Sequence, residues 1–254
     1  MPLISTPAIV LRVTPYSETS KIARLLTRDH GLVSVIARGA RRAKSPTGGG
    51  LDSFSLGAAS IRLKSQSDLH ALAEFDLARA HPRIAEDVAR FGAASALAEL
   101  ALKCAPAEPH PEVFDALADG LDALDRAAPA EGEAAALSAC WRLVAALGFE
   151  PVLDRCVVCG AAVKGTIVFS AAQGGALCAA HRGEPGGGAH TRLVREDGDA
   201  LRALVAGRWP DPPLDARHAA AHRRLLVTFV RLHLAEDRPL PALAFWARES
   251  WNPA

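Results

Sequence analysis

The stretch Ile22-Ala-Arg-Leu-Leu-Thr-Arg-Asp-His-Gly-Leu-Val-Ser-Val-Ile-Ala37 decides how the first third of this chain folds. Side-chain character alternates at every second position up to Asp29-His30-Gly31 and again from Val33 onward, which is the period of a half-buried strand. Asp and Gly in a short segment favour a tight turn, because glycine adopts positive φ at no steric cost. The stretch therefore predicts two strands joined as a hairpin.

The flanking sequence repeats this alternation. Upstream, Ile9, Leu11 and Val13 alternate with Val10 and Arg12. Downstream, two further strands are marked by Ile61 and Leu63, and by Leu69, Ala71, Ala73, Phe75 and Leu77. Five strands within about 80 residues, joined by short turns and one long loop, are typical of a small closed barrel. We therefore predict an N-terminal antiparallel OB-fold β-barrel over residues 1–80.

The period changes from two to between three and four after Pro82, which indicates helices. Three helices are predicted from the apolar spacing within Ile84–Cys104, Val113–Leu124 and Leu137–Leu147. A short helix near Leu201–Val205 and a longer one from about 214 to 237 follow. The fold class is therefore α+β and multidomain, with an α-helical domain over residues 81–254 after the barrel.

Two paired motifs interrupt the helical part and have the spacing of a zinc site. Cys156-Val-Val-Cys159-Gly160 is followed by Cys178-Ala-Ala-His181. A Cys-x-x-Cys turn directs two thiolates into one hollow with Zn–S bonds of about 2.3 Å, and the second pair completes a tetrahedron. Four protein ligands leave no open position for water or substrate. We therefore predict a structural Zn²⁺ in a zinc-finger-like knuckle inserted at about 152–182.

The four residues could have this spacing by coincidence, since His181 is a weaker signal than a fourth Cys would be. Two other interpretations of these residues also remain open. One cysteine pair alone would suit a redox dithiol, but the second pair would then have no role. His190 is a possible substitute for one of the four ligands. The remaining Cys104 and Cys140 fall within helical patterns and are interpreted as small buried apolar residues.

Charge is strongly segregated although the formal net charge is only +1. Residues 1–80 carry 11 Lys and Arg against 6 Asp and Glu, whereas residues 81–150 carry 5 against 12. The basic part includes Arg38-Gly-Ala-Arg41-Arg42-Ala-Lys44, with four cations in seven residues. Such a loop beside a barrel can follow a phosphate backbone without reading sequence. Arg38, Arg41, Arg42 and Lys44 are the predicted DNA contacts, which Lys21 and Arg24 extend.

Composition narrows the location and the class of function. The chain has no apolar run near the length of a membrane span, and the N-terminus does not resemble a signal peptide. Five cysteines without a disulfide-like framework suit a reducing compartment. We therefore expect no membrane association and a cytoplasmic, nucleoid-associated protein. No Ser-His-Asp set, P-loop or GxGxxG motif stands out, so no catalytic residue is nominated.

Two alternative functions share some of these residues. His110-Pro-Glu112 followed by Cys156-x-x-Cys159 superficially matches a zinc-dependent deaminase, but Arg155 stands where that motif has proline. The second alternative is a zinc-containing RNA-binding accessory factor of transcription or translation, because the sequence does not distinguish DNA from RNA.

Taken together, two segments resemble one family. The first comprises Val10-Leu-Arg-Val-Thr-Pro-Tyr-Ser-Glu18, Thr27-x-x-x-Gly31 and the basic run from Arg38 to Ser45. The second is Leu147-Gly-Phe-Glu-Pro-Val-Leu-Asp-Arg-Cys156-Val-Val-Cys-Gly160, in which a helix leads directly into the knuckle. Both are similar to the bacterial DNA repair protein RecO family, and the resemblance runs from about residue 5 to about 235. Family members typically close the zinc site with a second Cys-x-x-Cys, where this chain has Cys178-x-x-His181.

The resemblance implies a non-enzymatic function. RecO-like proteins act in the RecF recombination pathway, bind DNA, anneal complementary single strands and work with RecR. They help to load RecA onto single strands coated with single-strand-binding protein (SSB), whose acidic C-terminal tail they bind through the helical domain. Arg217, Arg224 and Arg231 are seven residues apart beside the apolar face of Leu225, Phe229 and Leu232. They are the predicted contacts for the SSB tail, although an ordinary solvated helix flank accounts for them better.

Overall fold

A computed structural model describes residues 2–41, 50–106, 108–182, 190–235 and 238–248. The strands predicted near the N-terminus form a closed barrel in the order β1-β2-β3-β5-β4. Their bounds are β1 Leu3–Pro15, β2 Lys21–Thr27, β3 Gly31–Ala37, β4 Leu56–Arg62 and β5 Leu69–Arg79. Four pairings are antiparallel, and β3 pairs with β5 in parallel to close the barrel. This five-stranded barrel confirms the OB-type fold, and the parallel pairing is a feature that alternation alone does not predict.

The predicted hairpin is present between β2 and β3. Thr27 lies opposite Gly31, whose φ of 63° supplies the left-handed backbone that the turn needs. The hydroxyl of Thr27 donates to the carbonyl oxygen of Gly31 at 2.8 Å, which ties the turn together. The barrel interior is filled by alternating apolar side chains, among them Val10, Leu25, Val35, Ile61 and Phe75.

Strand β1 is buried on both faces. Val10 points into the barrel, whereas Ile9 and Leu11 belong to the hydrophobic core formed with the helices. The register of β1 shifts between Val10 and Arg12, so the strand is bulged where it passes from one core to the other. The barrel and the helices are therefore joined by a shared apolar layer. An edge-to-face contact between Phe54 and Phe91, with ring centroids 5.5 Å apart, adds to that layer.

Among the residues that the structure describes, seven α-helices follow the barrel. They are α1 Pro82–Glu86, α2 Val88–Cys104, α3 Pro111–Arg126, α4 Gly132–Ala146, α5 Arg195–Val205, α6 Ala216–His233 and α7 Pro241–Trp246. Prolines stand in the first turn of α1, α3 and α7, where the missing N–H costs no helical hydrogen bond. The centre of this part is filled by fully buried side chains that include Trp141, Phe229 and Trp246.

Two helical predictions differ in detail from the structure. The single helix expected across Ile84–Cys104 is broken at Asp87, whose backbone is extended and whose carboxylate accepts the N–H of Arg90 at 2.8 Å. A new helix begins there in a different phase, so Val88 and Phe91 are 64% and 48% exposed instead of buried. Likewise, α6 ends at His233 and not near residue 237, and Leu232 is 55% exposed and does not share the buried face of Phe229.

A small three-stranded sheet lies between α4 and α5. Its strands are β6 Ile167–Ser170, β7 Gly175–Leu177 and β8 His190–Leu193, in the order β7-β6-β8. β8 lies beyond the predicted insertion at about 152–182. The sheet is fixed to α6 by Phe169, whose ring is 6.2 Å from that of Phe229, and by His233, whose Nε2 donates to the carbonyl oxygen of Ala171 at 2.6 Å.

Candidate metal centre and nucleic-acid interface

The structure brings together the four residues predicted to bind zinc. Cys156, Cys159, Cys178 and His181 each offer one ligand atom, and these atoms all lie within 4.8 Å of one another. The His181 Nδ1 lies 3.2 Å from the Cys178 sulfur and 3.7 Å from the Cys156 sulfur. The sulfurs of Cys159 and Cys178 are 3.8 Å apart. A tetrahedral zinc with bonds of about 2.0 Å to nitrogen and about 2.3 Å to sulfur separates its ligands by roughly 3.3–3.8 Å, so the arrangement fits this ion.

Glycines shape the backbone around the cluster. Gly160 has a φ of 74° directly after Cys159, and its N–H donates to the carbonyl oxygen of Cys156 at 2.9 Å. Gly175 leads toward Cys178, and a Cβ at this position would lie 2.3 Å from the carbonyl oxygen of Val152. The two halves of the knuckle therefore approach so closely that a side chain at residue 175 would separate them.

The thiols differ in their electrostatic environment. Burial raises the pKa of Cys156, but the backbone N–H groups of Cys178, Cys159 and Val158 outweigh burial and lower it to about 6. The His181 side chain lowers the pKa of Cys178. The N–H of Ala161 lowers the pKa of Cys159, but burial and the neighbouring sulfurs outweigh it and raise the value. Three thiolates therefore do not coexist easily without a cation, and a divalent metal would supply the missing positive charge.

The alternative ligands lie elsewhere. His190 begins β8, and its Nδ1 is 3.1 Å from the carbonyl oxygen of Arg182, outside the cluster of four. His110 and Glu112 are exposed at the start of α3 and also lie outside the cluster. The geometry thus favours the Cys₃His set over the deaminase arrangement, and a set of four protein ligands would hold a metal without an open position.

Part of the predicted DNA surface lies at one end of the barrel. Arg38 and Arg41 are exposed directly after β3. Arg41 is held by its backbone N–H, which donates to the carbonyl oxygen of Thr19 at 3.1 Å, so the segment after β3 lies against the β1–β2 connection. The other two predicted contacts, Arg42 and Lys44, lie outside the described residues.

Lys21 and Arg24 are nearby in sequence but already have partners. The Lys21 ammonium lies 3.3 Å from both the carbonyl oxygen of Leu51 and the Asp52 carboxylate. An Arg24 Nη1 donates to the Ser34 hydroxyl at 2.8 Å. Both side chains are partly buried, so the barrel strands use them for internal contacts as well as for surface charge.

Tyr16 is an exposed aromatic residue beside the predicted DNA contacts, and the charge pattern does not identify it. It is 61% exposed and lines a shallow depression together with Arg38, Thr19 and Ile36. The other two aromatic residues of the barrel sequence, Phe54 and Phe75, are buried. The position of Tyr16 directly after Pro15, where β1 ends, and its polar neighbours Ser17 and Glu18 are the local signals for exposure.

The three arginines predicted on α6 are all exposed, but they do not border one apolar face. Leu225 and Phe229 are buried in the core beneath them. Arg231 alone among the three lines a depression of about 400 Å³, which it shares with Arg238, Leu240 and Ala244. An exposed Phe245 follows Ala244 in α7.

Among the described residues, the helices lack the combination of length and hydrophobicity that a membrane span needs.

Two family profiles match the chain: "Recombination protein O N terminal" over residues 1–81 and "Recombination protein O C terminal" over residues 85–242.

Curated relatives match over similar lengths. The DNA repair protein RecO of Anaeromyxobacter dehalogenans (strain 2CP-C) is 36% identical over 244 residues, which is 92% of each chain. That of Anaeromyxobacter sp. (strain K) is 40% identical over 183 residues, or 70% of each chain. The RecO of Bifidobacterium adolescentis is 35% identical over 226 residues, covering 87% of this chain and 88% of its own.

Proposed function

The chain belongs to the recombination protein O (RecO) family of DNA repair proteins, and from that premise we propose that it acts as a non-enzymatic mediator of the RecF pathway. In this role it binds single- and double-stranded DNA, anneals complementary strands and helps to load RecA onto single strands coated with SSB. Residues 1–80 form the DNA-binding domain, and residues 81–254 form a helical domain that carries the knuckle. The protein works in the cytoplasm at the nucleoid.

The position of Arg38 and Arg41 carries this proposal. Both are exposed at the barrel end where the chain continues into Arg42 and Lys44. Four cations in this short segment can neutralise phosphates and release their counterions, and such binding does not depend on sequence. Lys21 and Arg24 contribute charge from the strands behind them, although their side chains also hold the barrel.

The scarcity of exposed aromatic side chains supports annealing over tight single-strand binding. Proteins that hold single strands firmly stack successive bases on aromatic rings. Here the barrel sequence offers Tyr16 alone, because Phe54 and Phe75 are buried. Bases that are not stacked on protein remain free to pair with a second strand. Tyr16 beside Arg38 would hold one base or sugar and fix the register of the backbone.

The knuckle has a structural role in this proposal. Cys156, Cys159, Cys178 and His181 would hold one Zn²⁺, which supplies positive charge and a cross-link between the two halves of the knuckle. The sheet beyond them packs on α6 through Phe169 and Phe229. Folding of the knuckle therefore supports the helical surface that meets partner proteins.

The proposed protein partners are RecR and the C-terminal tail of SSB. For the acidic tail we propose the exposed side of α6, along Arg217, Arg224 and Arg231. The depression lined by Arg231, Arg238 and Leu240 supports the Arg231 end of this stripe, because an apolar floor edged by cations accepts an acidic peptide with a large apolar terminus.

The decisive experiment is strand annealing of two complementary oligonucleotides, one of them coated with SSB, over a salt series. Wild type should accelerate annealing without ATP, and the acceleration should fall steeply with salt. The double variant Arg38→Ala/Arg41→Ala should lose most of this acceleration. Adding Arg42→Ala/Lys44→Ala should remove the remainder. Arg192→Ala/Arg195→Ala removes two exposed charges from the knuckle region and should anneal like wild type.

Two results would contradict the proposal. If wild type neither binds nor anneals DNA at low salt, the family resemblance does not extend to this activity. If wild type binds RNA of equal sequence more tightly than DNA, and the same variants lose this RNA binding, the RNA-binding interpretation replaces the proposal.

The SSB-tail site can be tested separately from the DNA site. Arg231→Ala should lose binding to the SSB tail while its annealing of naked strands stays unchanged.

A further inference from the structure

A second cluster of metal-ligating side chains lies between α5 and α6, away from the knuckle cysteines. His218 and His222 are one turn apart on α6, and Asp197 stands in the first turn of α5. The Nε2 atoms of both histidines face the same oxygen of Asp197, at 4.0 Å from His218 and 3.7 Å from His222. Two imidazoles and one carboxylate converging in this way are a common ligand set for divalent transition metals.

His222 has no other partner that would explain its position. It is only 2% exposed, and neither ring nitrogen has a hydrogen-bond partner among the residues that the structure describes. A buried polar group without a partner is costly, and the great majority of buried polar atoms have one.

Asp215 holds His218 in the orientation that a ligand needs. Its carboxylate caps α6 by accepting the backbone N–H of His218 at 2.8 Å, and the same oxygen lies 2.8 Å from the Nδ1 of that residue. With Nδ1–H donated to a carboxylate, Nε2 carries the lone pair and points away toward Asp197. A metal-binding histidine almost always has its second nitrogen bound to a carboxylate, a carbonyl or water in this manner.

We propose that His218 Nε2, His222 Nε2 and the carboxylate of Asp197 form a second metal site, which takes a divalent first-row transition ion such as Zn²⁺. Ligand atoms on one such ion are roughly 3 Å apart, so binding draws both imidazoles slightly toward the carboxylate. Asp197, His218 and Asp215 also line a cavity of about 730 Å³ whose apolar wall includes Trp209 and Leu214. The open coordination position of a three-ligand site faces this cavity and holds water or a small anion.

The site would fasten α5 to the first turns of α6. In the present geometry Asp197 and the two histidines link these helices there, at 3.7 and 4.0 Å. An ion bridging the three side chains replaces these long contacts with coordinate bonds and provides the missing partner for His222. The second site is therefore expected to stabilise the helical part independently of the knuckle.

Cobalt titration of the full chain with zinc already in the knuckle tests this proposal. The proposed second site has no sulfur ligand, so Co²⁺ bound there gives ligand-field absorption without sulfur-to-cobalt charge transfer. Wild type should bind one equivalent with this spectrum. Asp197→Asn and His218→Gln, which change residues outside the core, should each weaken binding by about tenfold or more.

Asp211→Asn is the matched control, because Asp211 lines the same cavity and the substitution removes the same charge. It should bind cobalt like wild type. Zn²⁺ should also raise the thermal midpoint of wild type and of the control, but not that of His218→Gln. The proposal is overturned if wild type binds no thiolate-free equivalent, or if Asp197→Asn and His218→Gln retain wild-type affinity.

Discussion

The Nε2 of His81 lies 2.8 Å from the Oδ1 of Asp122, while its Nδ1 lies 2.8 Å from the carbonyl oxygen of Phe54. Both partners are acceptors, so the imidazole is held through both of its ring nitrogens. His81 is buried and has left-handed backbone angles at the start of α1. It therefore connects the barrel, the segment before the helices and α3 at one point.

Asp122→Asn should lower the free energy of unfolding by about 1–3 kcal/mol, because a partly buried carboxylate is removed from His81 and from the guanidinium groups of Arg79 and Arg126. Denaturant unfolding measures the change. Asp119→Asn on the same helix breaks only an exposed pair with Arg142 and should change stability by less than about 0.5 kcal/mol. Equal effects of the two substitutions would contradict the bridging role of His81.

Arg28, directly after β2, pairs with Asp115 on α3, and this pair should make the stability of the folded state depend on pH in the acid range. Two hydrogen bonds from the Arg28 guanidinium, at 2.8 and 3.2 Å, lower the pKa of Asp115 below its ordinary value of 3.8. Because the folded state has the lower pKa, the pair stabilises it above about pH 4, and this contribution is lost as pH falls through the folded-state pKa. Asp115→Asn should therefore have a lower thermal midpoint than wild type at pH 7.

The two midpoints should converge once the pH has fallen below the folded-state pKa of Asp115, and the difference at pH 7 should be small because both side chains are about half exposed. Asp68→Asn, at an exposed position in the β4–β5 connection, should follow the wild-type pH profile throughout. A difference between wild type and Asp115→Asn that persists unchanged into acid would show that the pair does not act through ionisation.

Cys156→Ser should destabilise the protein more than it alters DNA binding. A metal held at a concentration about a thousandfold above its Kd stabilises the folded state by about 4 kcal/mol, and this contribution is lost with the ligand. Chelation of wild type should lower the thermal midpoint in the same way, whereas in the variant the chelator can remove only the smaller contribution of the second site. A fully stable variant that no longer binds DNA would refute a structural role for the metal.

Gly175→Ala should disrupt the knuckle without removing a ligand. Its Cβ would lie 2.3 Å from the carbonyl oxygen of Val152, and overpacking against backbone typically costs about 1–3 kcal/mol. Metal content measured after dialysis should fall along with stability. At Gly132 a Cβ meets nothing within 4 Å, so Gly132→Ala should leave both quantities unchanged. Retention of the full metal content in Gly175→Ala would show that the two halves can separate without loss of the site.

Local patterns predicted the features that depend on local chemistry. The alternation around Asp29-His30-Gly31 gave the β2–β3 hairpin, and the spacing from Cys156 to His181 gave the four clustered ligands. The break at Asp87 was missed because an apolar period does not show that an Asp side chain caps a new helix. Contacts distant in sequence were missed for a different reason: Asp197 and His222 meet only because α5 and α6 pack together.

The doubly buried strand β1 limits how the protein can be divided. A fragment that ends at residue 80 would keep Val10 inside the barrel but would place Ile9, Leu11 and Leu26 in water, since their neighbours are helical. Such a fragment should aggregate or bind to other apolar surfaces before any DNA contact can be measured. The boundary near residue 80 therefore separates two kinds of architecture but not two domains that fold independently. Studies of the proposed DNA surface on the barrel will need the whole chain, with substitutions in place of truncation.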